Sequence, residues 1–101
     1  MGYEIVWTLT ALRTFQKNID YLEEHWTERE IINFVTRTSD VLDTLSNAPL
    51  IFRESYKIKN TRIGVIVKQV SVVYRVKPRK RVIELITFID NRADTKKSRW
   101  K

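Results

Sequence analysis

Apolar residues follow two rhythms along this chain, and the change of rhythm near residue 60 divides it. Before that point the spacing is helical. Ala11, Phe15, Ile19 and Leu22 recur at intervals of four, four and three, which makes one apolar stripe ending near residue 24. Thr8 or Thr10 supplies the N-cap, because a hydroxyl accepts from an orphan backbone N–H. Thr27 and Glu30 then match a capping box. Ile31, Phe34, Val35, Thr38, Val41, Leu42 and Leu45 predict a second helix to about residue 46. Asn47 is read as its left-handed C-terminal residue, with Pro49 preventing continuation. The short link makes the two helices an antiparallel hairpin.

Beyond residue 60 the rhythm is that of strands. Residues 62–67, 70–76 and 81–89 are crowded with Val, Ile, Tyr and Phe, which suit a pleated, half-buried surface. Short connections at Lys68-Gln69 and around Pro78 make them an antiparallel meander. Val70, Val72, Tyr74 and Val76 share one face of the middle strand; Ser71, Val73 and Arg75 share the other. In the last strand Ile83, Leu85 and Ile89 are assigned to one face and Val82, Ile86 and Phe88 to the other. Such a strand is central and covered on both sides. The helices supply one cover, and the tail, either frayed or docked by Trp100, is a candidate for the other. Tyr3, Ile5 and Trp7 form a short opening strand. The order strand, helix, helix, strand, strand, strand predicts one α+β domain over residues 1–101, a helical hairpin against a largely antiparallel sheet.

Charge changes this picture. The 101 residues carry a net +7, but residues 1–48 sum to −4 and residues 49–101 to +11. The second half therefore calls for an anionic partner, either nucleic acid or an acidic protein segment. There is no Cys, hence neither disulfide frame nor thiolate metal site. No apolar leader or membrane-length run is present. The expectation is a cytoplasmic protein without membrane contact.

The residues from 50 to 61 form a long connection, and long connections are often functional. It holds Arg53, Tyr56, Lys57 and Lys59. Arg75 is placed to pair with Glu84 across the next strand. Tyr74 shares its face with Val72 and Val76 and is read as core. His25, the only histidine, is read as a surface or capping residue in the turn between the helices.

Several strings carry a resemblance. They are Tyr3, Ile5, Trp7-Thr8 and Ala11; Tyr21-Leu22 followed by Trp26; Pro49; Arg62; Tyr74-Arg75-Val76; and Phe88-Ile89-Asp90-Asn91-Arg92. In this order and spacing the chain resembles the RelE/ParE superfamily of bacterial type II toxins. The resemblance implies a toxin neutralised by a cognate antitoxin encoded beside it, and a role in plasmid stabilisation. RelE-type members cut mRNA on the ribosome without a metal; ParE-type members poison DNA gyrase. Metal-free RNA cleavage needs a base, a cation for the phosphorane and an acid for the leaving oxygen. Lining up Tyr74 puts Arg62 where one catalytic Lys of the nucleases lies. It puts Gly64 and Ser71 where two further basic residues lie, and Ser98 near their general-acid Tyr. Arg92 matches an Arg that contacts phosphate. Two cations are kept, while the acid and most of the base set are not, which favours the ParE branch.

The expected target- or phosphate-binding residues are therefore Arg62, Arg75, Arg92, Lys57 and Lys59, with no catalytic set assigned, no metal and no cofactor. Two alternatives stay open: a ribosome-dependent mRNA endoribonuclease, and a non-catalytic basic RNA-binding domain.

Overall fold

Capping explains where each helix begins. The computed structural model describes residues 2–91. Strand β1 (Glu4–Trp7) leads directly into helix α1 (Leu9–His25). Between them Thr8 is the N-cap, its hydroxyl accepting from the Ala11 N–H at 3.1 Å. The same hydroxyl donates to the Leu85 carbonyl at 2.7 Å, so one residue both starts the helix and fixes it to the sheet. Helix α2 (Glu28–Asn47) opens with the expected Thr27/Glu30 capping box. Its other end is corrected: Asn47 is the last helical residue, and Ala48 caps with φ −140° rather than a left-handed turn. Among the described residues the left-handed ones are Asn60 and Arg81, at φ 63° and 53°.

Strands β2 (Arg62–Val67), β3 (Val70–Lys77) and β4 (Val82–Asp90) complete a four-stranded sheet in the order β1-β4-β3-β2. The last three form the expected antiparallel meander. β1 lies parallel to β4, Glu4 beside Val82 and Trp7 beside Leu85. β1 ends there, and α1 takes over the edge: the Phe88 N–H donates to the Thr14 hydroxyl at 2.9 Å.

The face assignment in β4 needs correction. Register shifts between Val73 and Tyr74, where Val73 faces Thr87 but Tyr74 faces Leu85. Ile86 is the extra residue of a bulge, and a bulge reverses the alternation beyond it. Ile83, Leu85 and Phe88 therefore share the helix-covered core, in place of Ile83, Leu85 and Ile89. Phe88 meets Trp7 at 5.3 Å and Phe15 at 5.1 Å between ring centroids, and Phe15 meets Phe34 at 5.4 Å. This ring cluster joins β1, α1, α2 and β4, and such aromatic pairs add about 0.5–1.5 kcal/mol each beyond burial.

The rest of the core comes from Ala11, Leu22, Val41, Leu45, Ile66, Val70, Val72 and Tyr74, all buried. Val35, placed on the apolar stripe of α2, is 46% exposed instead. On the second face of the sheet Ile63, Ser71, Val73 and Thr87 are buried as well. The tail and Trp100, the expected cover there, lie outside the described residues.

Candidate functional site

The connection over residues 48–61 is held by its own hydrogen bonds. The Tyr74 hydroxyl donates to the Pro49 carbonyl at 3.0 Å. The Arg62 guanidinium donates to the Phe52 carbonyl at 2.7 Å and the Leu50 carbonyl at 3.4 Å. It also ion-pairs with Glu54 at 3.3 Å. Further along, the Ile63 N–H donates to Arg53 O at 3.1 Å and the Ser55 N–H to Thr61 O at 2.8 Å. The Ser55 hydroxyl accepts from the Lys57 and Ile58 N–H groups, both at 3.2 Å. The Thr61 hydroxyl returns a bond to Ile58 O at 2.7 Å. Asn60 takes the left-handed conformation that closes the turn. Beneath the loop the Phe52 ring lies on Gly64, where a Cβ would stand 2.6 Å from the ring. Glycine is required there because backbone and ring approach too closely for any side chain.

These contacts define what each predicted residue does. Arg62 is mostly buried and spends its donors on the chain's own carbonyls and Glu54; it clasps the loop. Arg75 pairs with Glu84 as expected, at 3.9 Å, and Lys77 shares that carboxylate at 3.3 Å. Exposed pairs of this kind contribute about 0–1 kcal/mol. Lys57 and Lys59 are exposed on the loop. Arg92 lies outside the described residues.

Arg62 and Arg75 come together on one cleft of about 400 Å³, bordered by Leu50, Glu54 and Asn60 of the loop and by Val76 and Pro78 of the β3–β4 hairpin. Beyond Pro78 the hairpin turn exposes Arg79 and Lys80. Glu54, Asn60 and Pro78 were not legible as cleft residues. Only the left-handed preference of Asn and the turn-forming Pro hinted at how the chain doubles back.

Two groups with acid–base capacity are placed away from such work. Tyr74 is fully buried, and burial pushes its hydroxyl up to about 12, against smaller opposing effects of the Phe52 backbone and the Arg62 charge. His25 is the last residue of α1 rather than part of a turn. Its Nδ1 lies 3.0 Å from the Tyr21 carbonyl and its ring stacks on Tyr21 at 4.2 Å, the capping role expected of it.

A second groove, of about 580 Å³, runs between α2 and β2. Trp26, Glu30, Asn33 and Arg37 form one wall and residues 65–69 the other. Residues 53–55 cover the outer edge of β2 only as far as Ile63. Past that point no described strand pairs with the outer edge, and Val65 is 55% exposed.

The sequence model for the ParE toxin of the type II toxin–antitoxin system parDE matches residues 5–95. The chain belongs to the ParE toxin family. Solved structures carry the same fold at low identity. The chromosomal ParDE system of P. aeruginosa superimposes with a TM-score of 0.69 at 14% identity, over 88% of this chain and 96% of that one. A mutant of the E. coli toxin RelE in the free state gives 0.64 at 15% identity, over 94% and 90%. The RelBE2 toxin–antitoxin complex of Mycobacterium tuberculosis gives 0.63 at 15%, over 89% and 99%. No curated relative matches the sequence. This ParE-family toxin thus shares one scaffold with toxins from both branches. Among its described residues no helix is long and apolar enough to cross a membrane.

Proposed function

We propose that this toxin of a type II toxin–antitoxin module arrests growth by poisoning DNA gyrase and does not cut mRNA. The observation that carries the reading is the use of Arg62. At the position where the nucleases place a catalytic cation, its guanidinium is committed to Phe52 O, Leu50 O and Glu54. A cation already holding three acceptors has less capacity to stabilise a phosphorane. Tyr74, buried and bonded to Pro49 O with its hydroxyl raised to about 12, is a weak and inaccessible proton donor. The family match to ParE supports the same branch.

One observation favours a second reading. Glu54 stands with Arg62 and Arg75 on a single cleft, so a base and two cations adjoin. Ribosome-dependent cleavage of mRNA would draw on that set.

Two assays with the purified full chain separate the readings. One programs ribosomes with mRNA and maps cut sites; the other measures gyrase supercoiling and trapped double-strand breaks. Gyrase inhibition without RNA cuts is expected, with toxicity reduced by Arg92→Ala. Discrete ribosome-dependent cuts would overturn the gyrase reading.

The cognate antitoxin is proposed to occupy the groove between α2 and β2. The open edge beyond Ile63 offers backbone donors and acceptors to an extended segment, and half-exposed Val65 offers an apolar anchor. Arg37 and Lys68 at its walls suit an acidic segment. Association should slow as salt rises, because exposed charges are screened within about 10 Å at 0.1 M.

A further inference from the structure

Strand β1 is the other edge of the sheet, opposite β2. Alternate residues bond it inward: the Glu4 N–H donates to Arg81 O at 2.9 Å and the Thr8 N–H to Leu85 O at 3.2 Å. Ile5 and Trp7 therefore turn their backbone groups outward. Tyr3, the next outward residue, is already satisfied. Its N–H donates to Ser46 O at 2.8 Å, and its carbonyl accepts from the Ser46 hydroxyl at 2.7 Å. Past Thr8 the chain is helix. The open stretch is thus Ile5 to Trp7, and no described strand pairs with it. The surface around it is apolar. Val6 is 38% exposed, and Leu9 and Leu12, one turn apart on α1, are 60% and 51% exposed. The usual guards of an edge are missing: residues 3–12 hold no Lys and no Pro, and β1 has no bulge. Glu4 is the one charged side chain in that stretch.

We propose that this edge binds a second copy of the chain, β1 against β1 in antiparallel register about a two-fold axis at Val6. Ile5 of each copy then faces Trp7 of the other, and the two exchange both backbone bonds. Val6 faces Val6 across the axis as a non-hydrogen-bonded pair, the kind whose side chains approach most closely. Such an interface is self-complementary, so assembly stops at two. Charge selects the occupant. In this register Glu4 stands opposite Thr8 of the second copy, the N-cap of its α1. The first turn of α1 contains no acidic residue, so the chain itself brings no carboxylate there to the positive end of the helix. A carboxylate arriving from the second copy is stabilising. An acidic segment would instead meet Glu4 and be repelled. The groove proposed for the acidic partner lies at the β2 edge, and pairing through β1 leaves it open.

The chain has no cysteine, so one introduced at residue 6 reports on the axis. Val6→Cys is expected to cross-link to itself on mild oxidation, because Cα atoms of a non-hydrogen-bonded pair lie about 4.5 Å apart, within disulfide reach. Val65→Cys, exposed on the far edge, is the control and should cross-link far more slowly. Sedimentation velocity of the native full chain over a range of concentrations should show a monomer–dimer equilibrium with no larger species. Val6→Lys sets like charges opposite each other on the axis and should hold the chain monomeric, with the fold verified by circular dichroism. Glu4→Gln should weaken dimerisation about 3- to 30-fold, the worth of two helix termini each losing a carboxylate. Leu9→Glu separates interface from fold. Its carboxylate in the first turn of α1 should raise the Tm of the dilute monomer, yet it faces Glu4 of the second copy and should weaken the dimer. These last two variants decide even if Val6→Lys fails to fold. A native chain that sediments as a monomer at every concentration would overturn the proposal. So would Val65→Cys cross-linking as fast as Val6→Cys, or a dimer that folded Val6→Lys or Leu9→Glu leaves intact. Neither gyrase nor ribosomes enter these measurements, so their failure is distinct from failure of the gyrase reading.

Discussion

Gly64→Ala isolates the seat of the loop. A Cβ at this buried strand position would lie 2.6 Å and 2.8 Å from two carbons of the Phe52 ring and 3.1 Å from a third. Two contacts under 3 Å cannot be absorbed in place, so the ring must move and carry the Phe52 backbone with it. Overpacking of this kind costs about 1–3 kcal/mol. Alanine regains about 0.5–1 kcal/mol of backbone entropy over glycine in a strand. The net expectation is a loss of about 1–2 kcal/mol, hence a fall in Tm of roughly 4–16 °C for a domain of this size. Thermal unfolding by circular dichroism measures it. The decisive arm is the double-mutant cycle with Phe52→Ala. With the ring removed, the same Gly64→Ala change should become neutral or raise Tm by a few degrees, a coupling that reverses sign. An additive cycle, or no loss in the single variant, would refute the account of the glycine as a seat for Phe52.

Two further outcomes test the surroundings of the loop. Arg62→Met keeps the aliphatic stem but removes the donors to Phe52 O and Leu50 O; with charged hydrogen bonds worth about 1.5–3 kcal/mol, Tm should fall and amide exchange over residues 50–61 should quicken. Tyr74→Phe should cost about 1 kcal/mol for the bond to Pro49 O and leave toxicity intact. In the native chain the Tyr74 hydroxyl is raised to about 12, above its unfolded value, so its stabilising share is complete below pH 10 and lost as pH climbs toward 12. The phenylalanine variant should lack that part of the alkaline decline in Tm.

Side-chain pattern revealed most of the architecture because most positions obeyed one local rule. The Thr27/Glu30 box and the stripe through Ala11 and Leu22 each depend on neighbours within a turn, and both stand as read. Arg75 opposite Glu84 also followed from strand register. The misreadings sit where a nonlocal fact decides. Ile86 is as apolar as its neighbours, so nothing in its chemistry announces a bulge, yet the bulge moves Phe88 into the core. Asn47 favours the left-handed region, but helical bonding continues through it. At the candidate site, the sequence supplied Arg62 and Arg75 but not their cleft, which exists because the loop folds back to lay Glu54 beside Arg62. That return is set by backbone bonds, Ser55 to Thr61 and Ile63 to Arg53, which side chains do not advertise.

The Thr8–Leu85 joint has a consequence in time. Its partners stand 77 residues apart in the chain. As the polypeptide grows, β1 and the helical hairpin emerge before β4, the strand that receives β1. Until then the Trp7, Phe15 and Phe34 rings lack Phe88, and the sheet has no β1–β4 seam. Closing so long a loop must precede the contacts that reward it, which slows folding. The finished fold is therefore a late event in the life of each molecule. The seam between β1 and β4, and the ring cluster that depends on Phe88, close only after β4 has been made.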